Sequence, residues 1–351
     1  MKHFNDLTLI ISDFESGGTQ KIISCLISIF KDKKITLIVL GKTRDMRTYK
    51  NVSLIKLNLQ KQTNGIFDAI KNNIKIIFKI RNNIKKISSK NIISFIYETN
   101  ILTVISCINL KKNIIVSERN NPYHQKNKMI WNLLRLMVYP LANFIVVNSF
   151  FAYDYFKRFV NTKKLKYIEN PINIKKKISV KKNKIFIASS LTKKKSLDTI
   201  IKAFALFLKK NKDWRLIIAG EGPEENYLKM LANKLEISSN IDWLGFKKNL
   251  IPFYSTSKIF CLPSIFEGMS NSLLEALSFN LKCIVSDSII HKEDPLKDFV
   301  TTFKQNDHID LYKKLIEIKI SNTKKESKFL DYAFNHLNFR IIRKKWEDLC
   351  I

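Results

Sequence analysis

The sequence predicts an α/β protein built from two doubly wound parallel sheets. Short β-branched runs alternate with amphipathic segments along the 351 residues, an alternation typical of βαβ units. Runs of consecutive apolar residues predict strands that are buried on both faces, as parallel strands are. The alternation breaks once, in a proline- and lysine-containing stretch at residues 170–184, and then restarts. We therefore expect two domains of similar size.

The individual elements follow from these patterns. In the first half we expect strands at residues 7–12, 35–40, 92–97, 113–118 and 144–149, and helices at residues 20–30, 65–88 and 126–139. In the second half we expect strands at residues 185–190, 214–220, 241–245, 258–263 and 282–287, and helices at residues 197–210, from 224 to about 235, and from about 271.

The domain boundaries follow from the same break. We expect an N-terminal domain at residues 1–172, a linker at 173–183 and a C-terminal domain at 184–335. The basic tail at 336–351 is expected to form a helix that packs back toward the N-terminal domain. Ligands of open parallel sheets bind beyond the carboxyl ends of the strands, so we expect the site in the cleft between the two domains.

Composition narrows the class of protein. Five scattered cysteines without a CxxC pair indicate reduced thiols, not a disulfide framework or a zinc site. The net charge of +32 favours anionic partners, although the coding bias of an AT-rich genome explains it as well. No nucleic-acid-binding motif is present, so we expect no nucleic-acid partner. The longest apolar region, residues 129–147, is interrupted by polar residues, which argues against a membrane-spanning helix.

Two glycine-containing turns follow predicted strands. Gly17 and Gly18 precede the first helix, and Gly220 and Gly222 end a strand of the second half. Glycine lets backbone N–H groups approach a ligand, and a helix start favours an anion, but an ordinary tight turn explains either pair. Neither GxGxxG nor GxxxxGK[ST] occurs, so no nicotinamide site or P-loop is indicated.

The most informative stretch is "SIFEGMSNSLLEALSFNLKCIVSD". Glu267 lies in the loop after a predicted strand, and Glu275 lies near the start of the helix that Ser270 or Asn271 would cap. Carboxylates accept hydrogen bonds from sugar hydroxyls, and a helix start binds phosphates, so one loop could hold a nucleotide sugar. Alternatively, Glu275 is an ordinary residue of a helix surface. The lysines at 193–195 could face a diphosphate or simply solvent.

These motifs together resemble the family 4 retaining glycosyltransferases of the GT-B fold, which has two Rossmann-like domains facing across a cleft. "FEGMSNSLLEA" matches the E-x7-E motif of that family, and "IIAGEGPEENYLKMLANKLEISSNIDWLGF" and "NPINI" match its flanking segments. Within the family, "SFIYETN", "VSERNNPYHQKNKMIWNLLRLMVYPLANF" and "YDYFKRFV" are similar to N-acetylgalactosaminyltransferases that extend polyprenyl-diphosphate-linked oligosaccharides in bacterial glycan assembly.

The resemblance implies roles for individual residues. It implies that Glu275 binds the nucleotide ribose, that Glu267 and Gly268 hold the donor sugar, and that the backbone of Ser272 and Leu273 meets the diphosphate.

The same resemblance implies further residues of the donor site. At two places, however, the sequence departs from the family pattern. Lys195 matches the phosphate-binding lysine; Gly18, Gly222 and Lys194 are the other expected donor-binding residues. Ser189 and Ser190 replace a usual Gly-Arg pair. Arg119 replaces a histidine near the catalytic centre, and we expect it to be catalytic together with Glu267.

The implied reaction is retaining transfer of a hexose or N-acetylhexosamine from a nucleotide sugar, with UDP as the expected nucleotide. The acceptor would be a polyprenyl-diphosphate-linked oligosaccharide or another precursor of capsule, O-antigen or N-glycan. No DxD motif occurs, which argues against the metal-dependent GT-A route; we expect neither a metal nor a cofactor. The alternatives are a degenerate, non-catalytic GT-B partner at the membrane surface and a UDP-sugar 2-epimerase.

The polyprenyl acceptor that the resemblance implies would place the protein at a membrane. Residues 66–87 alternate isoleucine and phenylalanine with lysine, as basic amphipathic helices do. We expect the apolar face to pack inward and the lysines to meet an anionic membrane surface, so that the protein is peripheral on the inner face of the cytoplasmic membrane. A helix that merely packs on its own sheet would show the same pattern.

Overall fold

The computed structural model describes residues 4, 6–14, 18–43, 49–59, 65–124, 129–172, 179–321 and 325–351. The chain divides into two compact units. Unit 1 combines Met1–Pro171 with Phe339–Ile351, and unit 2 is Ile172–Asn338. Of the linker predicted at 173–183, residues 173–178 lie outside the described residues, and the first strand of unit 2 already begins at Lys182.

Unit 1 contains a seven-stranded sheet in which every pairing is parallel. Its strands are β1 (Asp6–Ile11), β2 (Lys34–Val39), β3 (Val52–Lys56), β4 (Asn91–Phe95), β5 (Asn113–Glu118), β6 (Phe144–Val147) and β7 (Leu165–Tyr167). The spatial order is β3-β2-β1-β4-β5-β6-β7, so the direction of winding reverses between β1 and β4. This is the doubly wound topology predicted from the sequence.

Helices cover both faces of this sheet. They are α1 (Gly18–Ile29), α2 (Ile66–Lys86), α3 (Tyr97–Cys107), α4 (Met129–Val138), α5 (Phe150–Phe156) and, from the end of the chain, α12 (Phe339–Glu347). Alternate strand residues enter two separate hydrophobic cores, because side chains of a strand point to opposite faces. One core lies under α1 and α12, and the other lies under α2, α3, α4 and α5.

Unit 2 repeats this plan with a six-stranded parallel sheet. Its strands, in the order β10-β9-β8-β11-β12-β13, are β8 (Lys182–Ala188), β9 (Arg215–Ala219), β10 (Ile241–Gly245), β11 (Ser257–Leu262), β12 (Lys282–Ser286) and β13 (Thr301–Phe303). Its helices are α6 (Leu197–Leu208), α7 (Glu225–Lys234), α8 (Ile251–Thr256), α9 (Asn271–Ser278), α10 (His308–Ile320) and α11 (Lys325–His336). Here the winding reverses between β8 and β11.

The predicted elements differ from the structure in several places, and the helices α5, α8 and α10 were not predicted. The edge strands β3, β7 and β13 were not predicted, since they are short and only partly buried. The strand expected at 92–97 ends at Phe95, and Tyr97 already begins α3. That helix was missed because it is buried nearly all round and therefore lacks the polar face on which the pattern depends. Of the helix expected at 126–139, residues 126–128 lie outside the described residues.

Within the described ranges, no helix combines the length and the hydropathy that crossing a membrane requires.

Candidate functional site

The candidate site lies where the winding of unit 2 reverses. Strands β8 and β11 pair in parallel, so the loops that follow them lie side by side at the carboxyl edge of the sheet. One backbone hydrogen bond joins the two loops directly: the N–H of Ile265 donates to the carbonyl of Lys194, at 2.8 Å. Such a reversal point is where open α/β sheets bind ligands.

A short turn after β8 presents the predicted lysines. Lys193–Lys195 form one turn of 3-10 helix, and Ser196 then adopts a left-handed conformation with φ of 47°. The hydroxyl of Ser196 lies 2.9 Å from the hydroxyl of Thr199 and donates to Asn306 Oδ1, also at 2.9 Å. These contacts hold an otherwise unfavourable backbone conformation and so fix where Lys195 points.

Lys195 and Glu267 form an ion pair across the two loops. Glu267 Oε1 accepts hydrogen bonds from Lys195 Nζ and from Ser264 Oγ, the latter at 2.8 Å. The two side chains of the ion pair are only 14% and 16% exposed, so water screens the pair weakly. Burial, assisted by the neighbouring charge of Lys195, lowers the pKa of Lys194, whose ammonium lies 6.0 Å from the ring centre of Phe266.

The helix α9 begins directly after this loop. Ser270 caps it, accepting a hydrogen bond from the N–H of Leu273 at 3.4 Å, and Tyr254 donates its hydroxyl to the carbonyl of Ser272 at 3.3 Å. Glu275 is the fifth residue of α9 and half-buried, while Glu267 and Gly268 lie in the loop before the helix. One short segment therefore brings Glu267, Gly268, Ser272 and Leu273 near the helix start.

Gly222 is required by the backbone of the protein itself. A Cβ atom at this residue would lie 2.3 Å from the carbonyl oxygen of Leu191. The Leu191 backbone is held there by two hydrogen bonds, from its N–H to the Glu221 carbonyl (2.9 Å) and from the Glu224 N–H to its own carbonyl (3.0 Å). Gly222 thus packs the loop after β9 against the loop that leads to the lysines.

The other two predicted site residues belong to unit 1. Gly18 is the first residue of α1, whereas its neighbour Gly17 lies outside the described residues. Arg119 follows β5 and donates a hydrogen bond from Nη1 to Asn170 Oδ1 at 3.1 Å. Its guanidinium lies between the rings of Phe95 and Trp346, and burial lowers the pKa of Arg119 to about 9.

Sequence reasoning missed the hydroxyl groups that shape the site. Besides Ser264, Ser288 donates a hydrogen bond to the carbonyl of Ile265 at 2.8 Å and so braces the same loop from the end of β12. Serines in loops follow no periodic pattern. Only their position in the chain could have indicated a role in the site, because Ser264 and Ser288 each follow a predicted strand at the carboxyl edge of the sheet.

Comparison with protein families agrees with this geometry. Residues 169–336 match the family model described as "Glycosyl transferases group 1". The chain carries a group 1 glycosyl transferase domain. This domain covers nearly all of unit 2, including the lysine turn and α9. The predicted resemblance to the family 4 glycosyltransferases is confirmed, and the chain is an enzyme of the glycosyltransferase class.

Individual relatives agree with the family match. A Campylobacter jejuni protein named "GalNAc-alpha-(1->4)-GalNAc-alpha-(1->3)-diNAcBac-PP-undecaprenol alpha-1,4-N-acetyl-D-galactosaminyltransferase" is 29% identical over 301 residues, 83% of this chain and 82% of its own.

Solved structures confirm the fold of this glycosyltransferase. Sucrose-phosphate synthase from Thermosynechococcus elongatus aligns with a TM-score of 0.82 at 12% identity, over 99% of this chain and 98% of its own. Anabaena HepE in complex with UDP and glucose aligns with a TM-score of 0.77 at 14% identity, over 97% and 98%. At these identities the likeness concerns the fold alone, and it confirms the predicted GT-B class.

Proposed function

We propose that this glycosyltransferase moves a hexose or N-acetylhexosamine from a UDP-sugar, with retention at the anomeric carbon, to a polyprenyl-diphosphate-linked oligosaccharide or a related cell-surface glycan precursor. The observation that carries the proposal is the ion pair of Lys195 with Glu267 directly ahead of α9. The named acceptor of the Campylobacter relative and the UDP in the HepE structure support the two substrates.

The lysine turn and the start of α9 suit the diphosphate of the donor. Lys194 and Lys195 supply two positive charges, and the first turn of α9 supplies backbone N–H groups and the positive end of the helix dipole. The N–H of Leu273 already donates to Ser270 Oγ, but at 3.4 Å this bond is long. A phosphate oxygen would replace it, while the N–H of Ser272 would bind alongside.

The two glutamates suit the hydroxyl groups of the donor. Within the described residues, the hydrogen bonds to Glu267 from Lys195 and Ser264 both reach Oε1, which leaves Oε2 for a hydroxyl of the sugar at Gly268. Glu275 would accept hydrogen bonds from the ribose. The protein then acts by positioning the substrates and by stabilising charge on the departing diphosphate, which would help to deprotonate the acceptor hydroxyl.

Nucleotide binding tests the donor site directly. The unfolding temperature of the purified protein would be measured with UDP, GDP and ADP, for wild type, Glu275→Ala and the matched control Glu317→Ala. Glu317 is an exposed glutamate of α10 in the same unit. We expect UDP to raise the unfolding temperature of wild type and control only, because ligand binding stabilises the folded state. The absence of any shift at millimolar UDP in wild type would contradict the proposal.

Product analysis tests the reaction itself. UDP-hexoses and UDP-N-acetylhexosamines would be supplied with short-chain polyprenyl-diphosphate-linked saccharides, and the anomeric configuration of the product read by NMR. An α-linked product from an α-linked donor is expected. A β-linked product would refute retention while leaving the transferase assignment intact.

We also propose that unit 1 binds an anionic membrane surface, at the inner face of the cytoplasmic membrane. The sequence predicted that the apolar face of α2 packs inward, and the structure corrects this. Only the second half of the helix does so, with Ile76, Ile80 and Ile84 buried. In the first half, Phe67 is 90% exposed, and Ile70 and Ile74 are exposed as well. In the second half, Phe78 lies on another side of the helix from the buried isoleucines and is 60% exposed.

A second helix of unit 1 also exposes apolar side chains. Both α2 and α4 pack against the buried helix α3. On α4, Met129 is 87% exposed, and Ile130, Leu133 and Met137 are exposed as well. Exposed lysines of α2, at positions 71, 75 and 79, accompany the apolar side chains. Apolar side chains flanked by lysines are typical of helices that lie in the interface of an anionic bilayer.

Vesicle sedimentation tests the membrane surface. Wild type should bind vesicles rich in phosphatidylglycerol more tightly than neutral ones, and high salt should weaken the binding. The double variant Phe67→Ser, Phe78→Ser should bind less, whereas Met230→Ser, an equally exposed apolar position in unit 2, should bind as wild type does. Equal binding by all three proteins would argue against this surface.

A further inference from the structure

The chain passes between the two units twice, and the two passages lie next to each other. The first falls between Pro171 and Ile172, and the second between Asn338 and Phe339. Inside unit 2, the N–H of Ile172 donates to the carbonyl of Leu337 at 2.9 Å. Inside unit 1, Lys345 Nζ of α12 pairs with Glu169 Oε2 at 2.6 Å. We call residues 169–172 and 337–346 the crossover segments.

Arg119 contacts both crossover segments from the end of β5. It donates a hydrogen bond to the side chain of Asn170, two residues before the chain enters unit 2. Its guanidinium carbon lies 5.7 Å from the ring centre of Trp346 in α12 and 5.9 Å from that of Phe95. A planar guanidinium can stack on aromatic rings and donate at its edge at the same time, which few other side chains do.

The surroundings of Arg119 are unusual for a cation. Among the described residues, no carboxylate lies within ion-pair distance of it, and its buried Nε has no hydrogen-bond partner. Burial accordingly lowers its pKa. Arg119 is half-buried, and a partly buried charge without a counter-ion contributes little to stability. The presence of an arginine at position 119 is therefore better explained by the residues it holds in place than by a contribution to stability.

Asn170 is held from a second side as well. Asn148, which follows β6, donates from Nδ2 to the same Oδ1 atom at 3.3 Å. Asn170 itself follows β7 and directly precedes Pro171, a position where the backbone is confined to extended conformations. The ends of three neighbouring strands thus fix one asparagine at the point where the chain leaves unit 1.

We propose that Arg119 is a positioning residue, which acts on sugar transfer through Asn170 by holding the two crossover segments together in unit 1. This differs from the direct catalytic role that the sequence predicted for Arg119. The first test below measures the transfer rate and therefore rests on the proposed function. The second test measures hydrogen exchange and depends only on the fold.

A double-mutant cycle on the transfer rate separates the two roles. If Arg119 acts only through Asn170, then Arg119→Ala and Asn170→Ala should each lower kcat by a similar factor, about tenfold, and the double variant should be no slower than either. Multiplied losses in the double variant would show a direct action on the substrate and overturn the proposal.

Hydrogen exchange supplies a test that needs no activity. In Arg119→Ala and in Asn170→Ala, amides of both crossover segments should exchange about tenfold faster than in wild type, since local opening becomes easier. Lys90→Ala, which removes an exposed lysine of unit 1 outside both segments, serves as the control and should leave both segments unchanged. Unchanged exchange in the Arg119 variants would overturn the proposal whether or not sugar transfer is observed. Arg119→Gln, the milder variant, carries the test if Arg119→Ala does not fold.

Discussion

Replacing Gly222 by alanine should destabilise unit 2 and displace the lysine turn without touching any charged group. The added Cβ would lie 2.3 Å from the carbonyl oxygen of Leu191 and 2.8 Å from its nitrogen. An ordinary carbon–oxygen contact is about 3.4 Å or more, so the loop after β8 must retreat by roughly 1 Å. That loop leads directly to Lys195.

The cost follows from the bonds that such a retreat strains. Two backbone hydrogen bonds hold Leu191 against the loop after β9, and each contributes about 1 kcal/mol. Overpacking adds about 1–3 kcal/mol, so we expect Gly222→Ala to lower the free energy of unfolding by about 3 kcal/mol. For a unit of this size that is a fall in Tm of roughly 6–12 °C.

Alanine substitutions at two other glycines should destabilise the protein to different degrees and so provide a comparison for Gly222→Ala. Gly245, with φ of 63°, would place a Cβ 3.4 Å from Glu221 Oε1, so Gly245→Ala should cost only the left-handed conformation, about 1 kcal/mol. Gly220, with φ of 146° and a Cβ only 1.8 Å from the Ser189 carbonyl oxygen, should be the most sensitive. Urea unfolding followed by tryptophan fluorescence, to which the buried Trp214 of unit 2 contributes, would report the series. A Gly222 variant no less stable than the Gly245 variant would refute the reasoning.

Three further predictions concern charge. Lys195→Met should weaken UDP binding about 10- to 100-fold by calorimetry, since hydrogen bonds to charged groups contribute about 1.5–3 kcal/mol, whereas Lys234→Met on the exposed side of α7 should not. Transfer should survive EDTA, because lysines and a helix start would stabilise the diphosphate; activity lost to EDTA and restored by Mg²⁺ would contradict this. The Arg343 guanidinium donates two hydrogen bonds to Asp32 and lowers the pKa of that carboxyl to about 2. Because the folded-state pKa lies below the ordinary one, near 3.9, the pair stabilises the fold above about pH 4 and ceases to do so as the pH falls toward 2. Arg343→Met should therefore flatten the fall of Tm over that range, and an unchanged acid slope would count against the pair.

The sequence was most informative where its pattern is local. The buried parallel strands follow from runs of β-branched residues, and the E-x7-E motif located Glu267 and Glu275 on one loop and helix. Each of these depends on residues close together in the chain.

Features that depend on distant contacts could not be predicted. Glu267 meets Lys195 across 72 positions, through a turn whose geometry depends on Asn306 still further along. The exposure of Phe67 was missed for a related reason: periodicity shows which residues share a face of a helix, but not how much of that face a neighbouring element covers.

The return of the chain into unit 1 has a consequence for biosynthesis. Ile342, Trp346, Leu349 and Cys350 complete the core beneath α1, and Asn113 donates a hydrogen bond to the Leu349 carbonyl at 2.7 Å. Unit 2 is one continuous stretch, whereas unit 1 combines residues that precede unit 2 with residues that follow it. Domains ordinarily fold in the order in which they are synthesised. Here the amino-terminal unit emerges from the ribosome first and is finished last, so its unfilled core must be kept from aggregation while the whole of unit 2 is being made.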